Sequence, residues 1–318
     1  MAKALDFRRR REALTDYKRR LALVKSGMDR VVVRKTNKRI IGQIIRFNEK
    51  GDVVLSSADS NELRKAYGWP SRRNKSTAYL TGLLLAKKAK VKRYIYASSC
   101  SVYGYTVNEL FDETQPVSST YPYGISKLQG EQAVMNLRDE AFSVISLRKG
   151  TVSGWSPRMR LDLIINTMFR NGIRNGEITV DNPSIWRPII SIEDAANAYI
   201  RAIEASEKIS GIFNVAGGNY TVGEVGDLVK MAIEEELGKP VHLTIDHKLD
   251  FRNYKVSIEK AENVLSFHPH HGVKRIVKHL IEHMGEFNDW DNPYYYNIET
   301  LKRLSARSGL RNLAEVAG

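Results

Sequence analysis

The sequence predicts an α/β protein made of two dissimilar parts. The 318-residue chain contains 50 Lys and Arg residues against 36 Asp and Glu residues, and residues 1–90 hold 24 of the basic and 8 of the acidic ones. The net charge is therefore +16 over residues 1–90 and −2 over residues 91–318. β-branched runs separated by turn residues precede this boundary, whereas apolar strand patterns alternating with amphipathic helix patterns follow it. Such a concentration of positive charge is typical of a polyanion-binding segment joined to an electrically ordinary globular region.

Cysteine content and hydropathy exclude several classes of protein. Cys100 is the single cysteine, so the chain forms no internal disulfide and lacks the thiols of a structural zinc site. No apolar run approaches the roughly 18 residues that a membrane-spanning helix needs. The N-terminus lacks the apolar stretch of a signal peptide. We therefore expect a cytoplasmic protein with no membrane partner and no metal site.

The basic part is predicted to form a three-stranded meander followed by two helices. The predicted strands and helices lie at residues 31–34, 39–47, 53–57, 61–67 and 78–90. Ser60 is the expected N-cap of the first helix, with Gly68 just past its end, and Ser76 or Thr77 is the expected N-cap of the second. The turns and the arm that precedes them are rich in Lys and Arg, as phosphate contacts require.

Four stretches of this part resemble one known family. They read FRRRREALTDYKRRL (7–21), VVVRKTNKRIIGQII (31–45), GDVVLSSADSNELRKAYGW (51–69) and AYLTGLLLAKKA (78–89). This pattern resembles the N-terminal half of the archaeal 5S-rRNA-binding protein of the large ribosomal subunit, and nothing after residue 90 resembles its second half. The resemblance implies that residues 1–50 bind 5S rRNA in the large ribosomal subunit. The residues implied in RNA contact are Arg8, Arg9, Arg10, Arg11, Tyr17, Arg19, Arg20, Arg34, Lys35 and Lys38.

The second part opens with a motif suited to proton transfer. A predicted buried strand from Val91 ends in Ser98-Ser99, and a predicted helix that opens at Tyr121 carries Lys127 and Tyr123, which lies 24 residues after Ser99. Because residues four apart share a helix face, the phenol and the ammonium should lie one turn apart. A phenol has a pKa near 10, and an adjacent ammonium is expected to favour phenolate. The pattern predicts a base that removes a hydroxyl proton while hydride leaves the same carbon.

This constellation resembles the extended short-chain dehydrogenase/reductase family, the NAD-dependent sugar-nucleotide epimerases and dehydratases such as UDP-glucose 4-epimerase. The resemblance continues to about residue 302. It implies that Ser99 orients the substrate, that Tyr123 is the base, and that Lys127 activates Tyr123; Tyr123 and Lys127 would also contact NAD. Asn166, Arg187 and Arg252 fall at the family's substrate-binding positions, and a nucleotide sugar would bind within residues 151–305.

These resemblances predict an incomplete Rossmann-like parallel sheet with a C-terminal substrate domain, preceded by a ribosomal-type fragment. Residues 1–90 form the basic fragment, 91–150 the residual Rossmann part and 151–305 mainly the substrate-binding part; residues 306–318 are unassigned. No Gly-rich dinucleotide-binding turn precedes Ser99. We therefore expect a chimeric chain with impaired NAD binding. The alternatives are a ribosomal protein that binds 5S rRNA and a fusion or assembly artefact that performs neither function.

Three further features have local structural interpretations. Asp194 lies in a stretch that favours helix capping, with a ligand role as the alternative. The histidine cluster around Pro269 has no carboxylate or cysteine partner at a metal-binding spacing and is predicted to be a surface loop. Tyr294, Tyr295 and Tyr296 are predicted to pack as a terminal lid, with stacking on a base as the alternative.

Overall fold

A computed structural model describes residues 17–70, 74–247, 253–300 and 303. Contacts divide the chain into two compact units, residues 1–92 and 93–318, and each is described by itself. The predicted boundary between residues 90 and 91 lies two residues from this division. Within the described ranges, no helix is both long enough and apolar enough to cross a membrane.

The first unit is an antiparallel sheet that follows one helix and has two further helices packed on it. Its elements are α1 (Tyr17–Lys25), β1 (Arg30–Lys35), β2 (Ile40–Arg46), β3 (Val53–Asp59), α2 (Ser60–Tyr67) and α3 (Lys75–Lys88). The strands run in the order β1-β2-β3, and both pairings are antiparallel, which confirms the predicted meander. Buried Ile40, Ile45, Ala58, Leu63 and Leu85 form its interior.

The N-caps of α2 and α3 both differ from the residues predicted for them. Asp59, not Ser60, caps α2: its carboxylate accepts the backbone N–H of Asn61 at 2.8 Å, while its own N–H donates to Glu62 at 3.0 Å. The Ser60 hydroxyl is fully buried and accepts the N–H of Ile40 at 3.1 Å instead. The N-cap of α3 is Asn74, because α3 begins three residues earlier than predicted. Gly68 ends α2 with φ +63°, the left-handed conformation expected of it.

The second unit contains the remaining ten strands and six helices found in the described residues. They are β4 (Arg93–Ser99), β5 (Tyr105–Phe111), α4 (Pro122–Met135), β6 (Ser143–Lys149), β7 (Thr151–Ser153), α5 (Ile164–Asn175), β8 (Glu177–Asp181), β9 (Trp186–Ser191), α6 (Ile192–Glu204), β10 (Gly211–Val215), β11 (Gly218–Thr221), α7 (Val222–Leu237), β12 (His242–Asp246), β13 (Asn253–Val256), α8 (Glu259–Leu265) and α9 (Val273–Glu282). Its principal sheet is parallel, in the order β10-β6-β4. Parallel strands covered by helices confirm the α/β class.

The parallel sheet carries a different kind of packing on each face. Ile145 and Leu147 of β6 pack with the small residues Ala195, Ala198 and Ala202 of α6. The alternate residues of β6 face α4, where polar groups predominate. The carboxyl ends of β4 and β6 lie side by side, since Ser99 and Lys149 are register partners.

A second core lies in the C-terminal half of this unit. Phe169 of α5, Ile233 of α7 and Leu280 of α9 are fully buried within it. Tyr295 and Tyr296 pack against this core, and the Tyr296 hydroxyl donates to the carbonyl of Trp290 at 2.5 Å. Tyr294 is exposed, so two of the three tyrosines pack as predicted, and a lid role for the segment stays a prediction.

Candidate active site

Ser99 occupies the end of β4 and starts the next turn of the chain. Its hydroxyl accepts the backbone N–H of Ser101 at 3.2 Å, which caps a short 3-10 helix over Cys100–Tyr103. The Ser101 hydroxyl also donates to Ser99 Oγ, at 3.0 Å. These contacts fix the hydroxyl of Ser99 at the carboxyl edge of the parallel sheet, the edge where α/β proteins bind ligands.

Tyr123 lies in the first turn of α4. Tyr121 is the N-cap and Pro122 the first helical residue, a position where the missing N–H of proline costs nothing. Gly124 allows α4 to approach the 3-10 helix, because a Cβ there would lie 2.6 Å from the backbone oxygen of Ser101. The sequence Pro-Tyr-Gly therefore both starts the helix and holds the phenol beside Ser99.

The pKa of the Tyr123 phenol is raised above its ordinary value of 10.0. Desolvation by the surrounding protein is the largest cause, although the residue is still 51% exposed, and it outweighs the hydrogen bond with Ser99 and the positive charge of Arg160, which both lower the pKa. The direction is opposite to the one predicted from the sequence. The phenol is therefore protonated at neutral pH in the protein without ligands.

Lys127 explains why the pKa of Tyr123 is not lowered by its neighbour. The ammonium lies 5.6 Å from the centroid of the Tyr123 ring and donates to the carbonyl of Ala97 at 3.0 Å. It thus faces the ring and the β4 backbone rather than the phenol oxygen. Burial, followed by the charge of Lys149, lowers the pKa of Lys127 itself. Tyr123 and Lys127 lie one helical turn apart, as predicted, but the pKa of Tyr123 is raised and not lowered.

A cavity of about 530 Å³ opens over Ser99 and Tyr123. Its walls come from the ends of β4 and β6, the start of α4, the loop after β7 and the segment near Asn297. The charged residues that line it are Lys149, Arg158, Arg160 and Asp162. None of these four was singled out from the sequence, although all precede Asn166, a predicted substrate ligand, by at most 17 residues.

The loop after β7 is held by a carboxylate and an amide. Arg160 donates to both oxygens of Asp162, at 2.9 and 3.0 Å, and the backbone N–H of Asn297 also donates to Asp162, at 3.0 Å. These contacts lower the pKa of the Asp162 carboxyl although burial opposes them. Arg158 donates to the side-chain oxygen of Asn297 at 2.8 Å. The cavity wall is therefore tied to the C-terminal segment by two separate side chains.

A buried ion pair joins α4 to β6, one of the strands whose ends line the cavity. Arg148 of β6 and Glu131 of α4 are 4% and 1% exposed, and Arg148 Nη2 lies 2.6 Å from Glu131 Oε1. The hydroxyl of Ser146 donates to Glu131 at 2.8 Å, and Arg148 donates to the Tyr103 hydroxyl at 2.8 Å. Cys100, fully buried, donates its thiol to the carbonyl of Arg148 at 3.0 Å. Burial raises the pKa of this thiol.

Asn166 and Arg187, two of the predicted substrate ligands, have extensive protein contacts. The Asn166 side chain exchanges two 3.1 Å hydrogen bonds with the backbone of Gly154 and donates to the carbonyl of Arg160 at 2.8 Å, while also lining the cavity. Arg187 is 8% exposed, and its guanidinium carbon lies 5.8 Å from the ring centroid of Tyr254, another cavity residue. Arg252, the third, lies outside the described residues. Substrate contact by these three residues stays a prediction.

The predicted RNA-contact residues of the first unit fall into three groups. Arg8, Arg9, Arg10 and Arg11 lie outside the described residues, while Tyr17 and Arg19 lie on α1. Arg20 is half exposed, with its guanidinium 3.5 Å from Asp52. Arg34, Lys35 and Lys38 are all exposed at the β1–β2 hairpin. RNA contact by these residues stays a prediction.

Asp194 is a buried anchor of α6 and not its N-cap. Ser191 is the N-cap, since its hydroxyl accepts the N–H of Asp194 at 2.8 Å. The Asp194 carboxylate accepts the backbone N–H of His270 at 3.1 Å and that of His271 at 2.9 Å. These hydrogen bonds lower the pKa of the Asp194 carboxyl against the opposing effect of burial. The histidine segment is thus a loop fastened to α6; no group of metal-binding side chains is found in the described part of the chain.

Comparison with known proteins identifies the family of this chain. The chain matches the model of the NAD dependent epimerase/dehydratase family over residues 34–216. More than half of the chain lies in this match, and the chain belongs to that family.

Two solved structures share the fold. ADP-L-glycero-D-manno-heptose-6-epimerase from Helicobacter pylori is 23% identical, with a TM-score of 0.56 over 65% of this chain and 64% of that one. The dTDP-glucose 4,6-dehydratase from Bacillus anthracis, solved in complex with NAD, is 18% identical, with a TM-score of 0.58 over 69% of this chain and 70% of that one.

A separate similarity connects the chain to a ribosomal protein. The large ribosomal subunit protein uL18 of Korarchaeum cryptofilum is 58% identical over 85 residues, which are 26% of this chain and 43% of the relative. The chain thus spans less than half the length of the curated relative it matches. Both resemblances predicted from the sequence are confirmed.

Proposed function

We propose that the second unit binds a nucleotide sugar and transfers a proton at Tyr123, in the manner of an epimerase or dehydratase of its family. The observation that carries this proposal is the convergence of Ser99 and Tyr123 at the mouth of one cavity at the carboxyl edge of a parallel sheet. Ser99 would orient the sugar hydroxyl, and Tyr123 Oη would exchange a proton with it. Lys127 would hold the tyrosine ring in place through the contact described above.

The protonation state of Tyr123 sets the direction of the first proton transfer. Because its pKa is raised, the phenol keeps its proton at neutral pH, so in the protein without ligands it can donate a hydrogen bond to a substrate oxygen but cannot act as a base. Removal of a proton from a hydroxyl requires additional positive charge near the phenol oxygen, since such charge favours phenolate. Arg160 already supplies part of this effect.

NAD, the cofactor of the family, fits only one end of this site. Tyr123 and Lys127 match the residues that would contact its nicotinamide riboside end. The pyrophosphate end normally rests on a Gly-rich turn between a strand and a helix. The sequence that precedes Ser99 contains no such Gly-rich turn. We therefore propose that NAD binding is impaired in this chain.

Binding measurements on the full chain test both proposals. Titration calorimetry with UDP-glucose should show binding, and Arg187→Ala should weaken it if this arginine holds the diphosphate. Titration with NAD should give a dissociation constant above about 1 mM, which corresponds to a binding free energy weaker than about −4 kcal/mol. Failure to bind both UDP-glucose and its carboxylate-bearing analogue UDP-glucuronate would refute the nucleotide-sugar site, and micromolar NAD affinity would refute the proposed impairment.

For the first unit we propose binding to 5S rRNA in the large ribosomal subunit, in a chain that combines segments of two origins. The similarity to uL18 supports this proposal, and so does the exposed cluster of Arg34, Lys35 and Lys38 on the β1–β2 hairpin. Phosphate contacts make affinity depend on salt with a slope of about −0.9 per neutralised phosphate on a duplex.

The salt dependence of RNA binding tests this second proposal. Replacing Arg34, Lys35 and Lys38 by Gln should flatten the logarithmic salt slope by about 2–3, if each residue neutralises one phosphate. The triple variant Lys208→Gln, Lys239→Gln, Lys278→Gln in the second unit is the charge-matched control and should leave the slope unchanged. Equal affinity for 5S rRNA and an unrelated RNA of the same length would reduce the first unit to a non-specific polyanion binder.

A further inference from the structure

The side chains that line the cavity carry more positive than negative charge. Three cations and one carboxylate line it, which leaves an excess of two positive charges. Asp162 is engaged by Arg160 through both oxygens. Lys149 and Arg158 donate instead to neutral oxygens, those of the Tyr199 hydroxyl at 2.7 Å and the Asn297 amide at 2.8 Å. Among the described residues neither cation has a carboxylate partner, so the site is suited to an anionic ligand.

Of the two cations that have no carboxylate partner among the described residues, Lys149 is the one that adjoins Ser99 in the sheet. It is the last residue of β6 and the register partner of Ser99, and neighbouring strands lie about 4.8 Å apart. Its side chain is on the α6 face of the sheet, where its ammonium also lies 5.0 Å from the ring centroid of Tyr199. Ser99, Tyr123 and Lys149 all line one cavity, so a sugar bound beside Ser99 and Tyr123 shares that cavity with this ammonium.

The environment of Lys149 favours a negatively charged substituent over a neutral one. The lysine is partly buried, and burial lowers its pKa because the charged form loses contact with water. An incoming carboxylate would supply a charge-assisted hydrogen bond, which is stronger than the present bond to a neutral hydroxyl. A neutral hydroxymethyl group would offer no such gain.

We propose that Lys149 selects a nucleotide sugar whose sugar carries a carboxylate, that is, a nucleotide-linked uronic acid. This inference rests on the proposed nucleotide-sugar site and names its substrate class. Lys149 is then a specificity-determining residue. Arg158, on the loop beside Asn297, serves in the test as a second cavity cation that does not adjoin Ser99.

Paired titrations isolate the sugar carboxylate from the rest of the ligand. UDP-glucuronate and UDP-glucose share the nucleotide and both phosphates, so the ratio of their dissociation constants reports on the sugar alone. The full chain should bind UDP-glucuronate about tenfold or more tightly than UDP-glucose, as expected for a hydrogen bond between charged groups. Lys149→Met, which keeps the length of the stem, should abolish this preference, and Lys149→Arg should retain most of it.

The matched control is Arg158→Gln, which should weaken both ligands by a similar factor and preserve their ratio. Thermal unfolding of every variant verifies folding, and Tyr199→Phe provides a milder second variant that should keep the preference because the ammonium remains. Equal affinities of the unaltered chain for the two ligands, or a preference that survives Lys149→Met, would overturn the inference while leaving the nucleotide-sugar site intact. Failure of both ligands to bind would instead overturn the proposed site and this inference with it.

Discussion

Replacement of Arg148 by Met should destabilise the second unit strongly. The substitution removes the guanidinium and leaves the Glu131 carboxylate, 1% exposed, with the Ser146 hydroxyl as its remaining hydrogen-bond donor among those described above. Breaking one side of a buried ion pair costs about 3–5 kcal/mol, because the other charge stays buried without compensation. The Tyr103 hydroxyl loses a donor as well, but it keeps its own bond to the Asn214 side chain at 2.9 Å.

Urea unfolding monitored by tryptophan fluorescence measures this loss. Of the four tryptophans, Trp69 alone lies in the first unit, so a Trp69→Phe background confines the signal to the second unit. With a slope of about 2–3 kcal/mol per molar urea, the midpoint should fall by about 1–2 M.

The double variant Glu131→Gln, Arg148→Met decides whether the unpaired charge is the cause. It removes both charges and keeps a side chain that can hydrogen-bond to Ser146, so it should recover most of the lost stability. A loss below about 1 kcal/mol in Arg148→Met, or a double variant no more stable than the single one, would refute the reasoning.

Three further predictions concern the site and its support. Gly124→Ala should displace the start of α4 and cost about 1–3 kcal/mol, because its Cβ would meet the backbone oxygen of Ser101; Gly285→Ala, with no atom within 4 Å of the added Cβ, is the control in the same urea assay. Asp194→Asn should cost about 2–4 kcal/mol at pH 7. The folded pKa of Asp194 lies below its ordinary 3.8, so this stabilisation is lost as the pH falls through the folded value, and the two proteins should converge in stability in acid. Tyr123→Phe should remove one phenolate transition above pH 10 from the ultraviolet absorbance titration. If the transition that the variant loses lies below pH 10 instead, the raised pKa is contradicted.

The sequence predicted correctly those elements that are determined by residues close together in the chain. The meander of the first unit follows from β-branched runs and their turns, and the start of α4 follows from the Tyr-Pro-Tyr-Gly stretch. The common helix face of Tyr123 and Lys127 likewise follows from their spacing. In each case the decisive residues lie within a few positions of one another.

Features that depend on distant contacts were missed. Ser60 has an excellent capping side chain, but its hydroxyl bonds to Ile40 of β2, twenty residues away, and Asp59 takes the capping role. Lys149 acquires its position from the pairing of β4 with β6, whose register no local pattern specifies. The pKa direction of Tyr123 was missed because it depends on burial and on where the Lys127 ammonium points, neither of which spacing reveals.

The single cysteine gives the second unit an internal reporter of its own integrity. Cys100 is fully buried and its thiol is occupied by the carbonyl of Arg148, so a maleimide should react with it only when the 3-10 helix and the residues packed around it open. Because the chain has no other thiol, the labelling rate of the intact protein measures that opening directly, without any engineered probe. A ligand that closes the cavity over β4 and β6 should slow the labelling in proportion to the fraction of sites it fills.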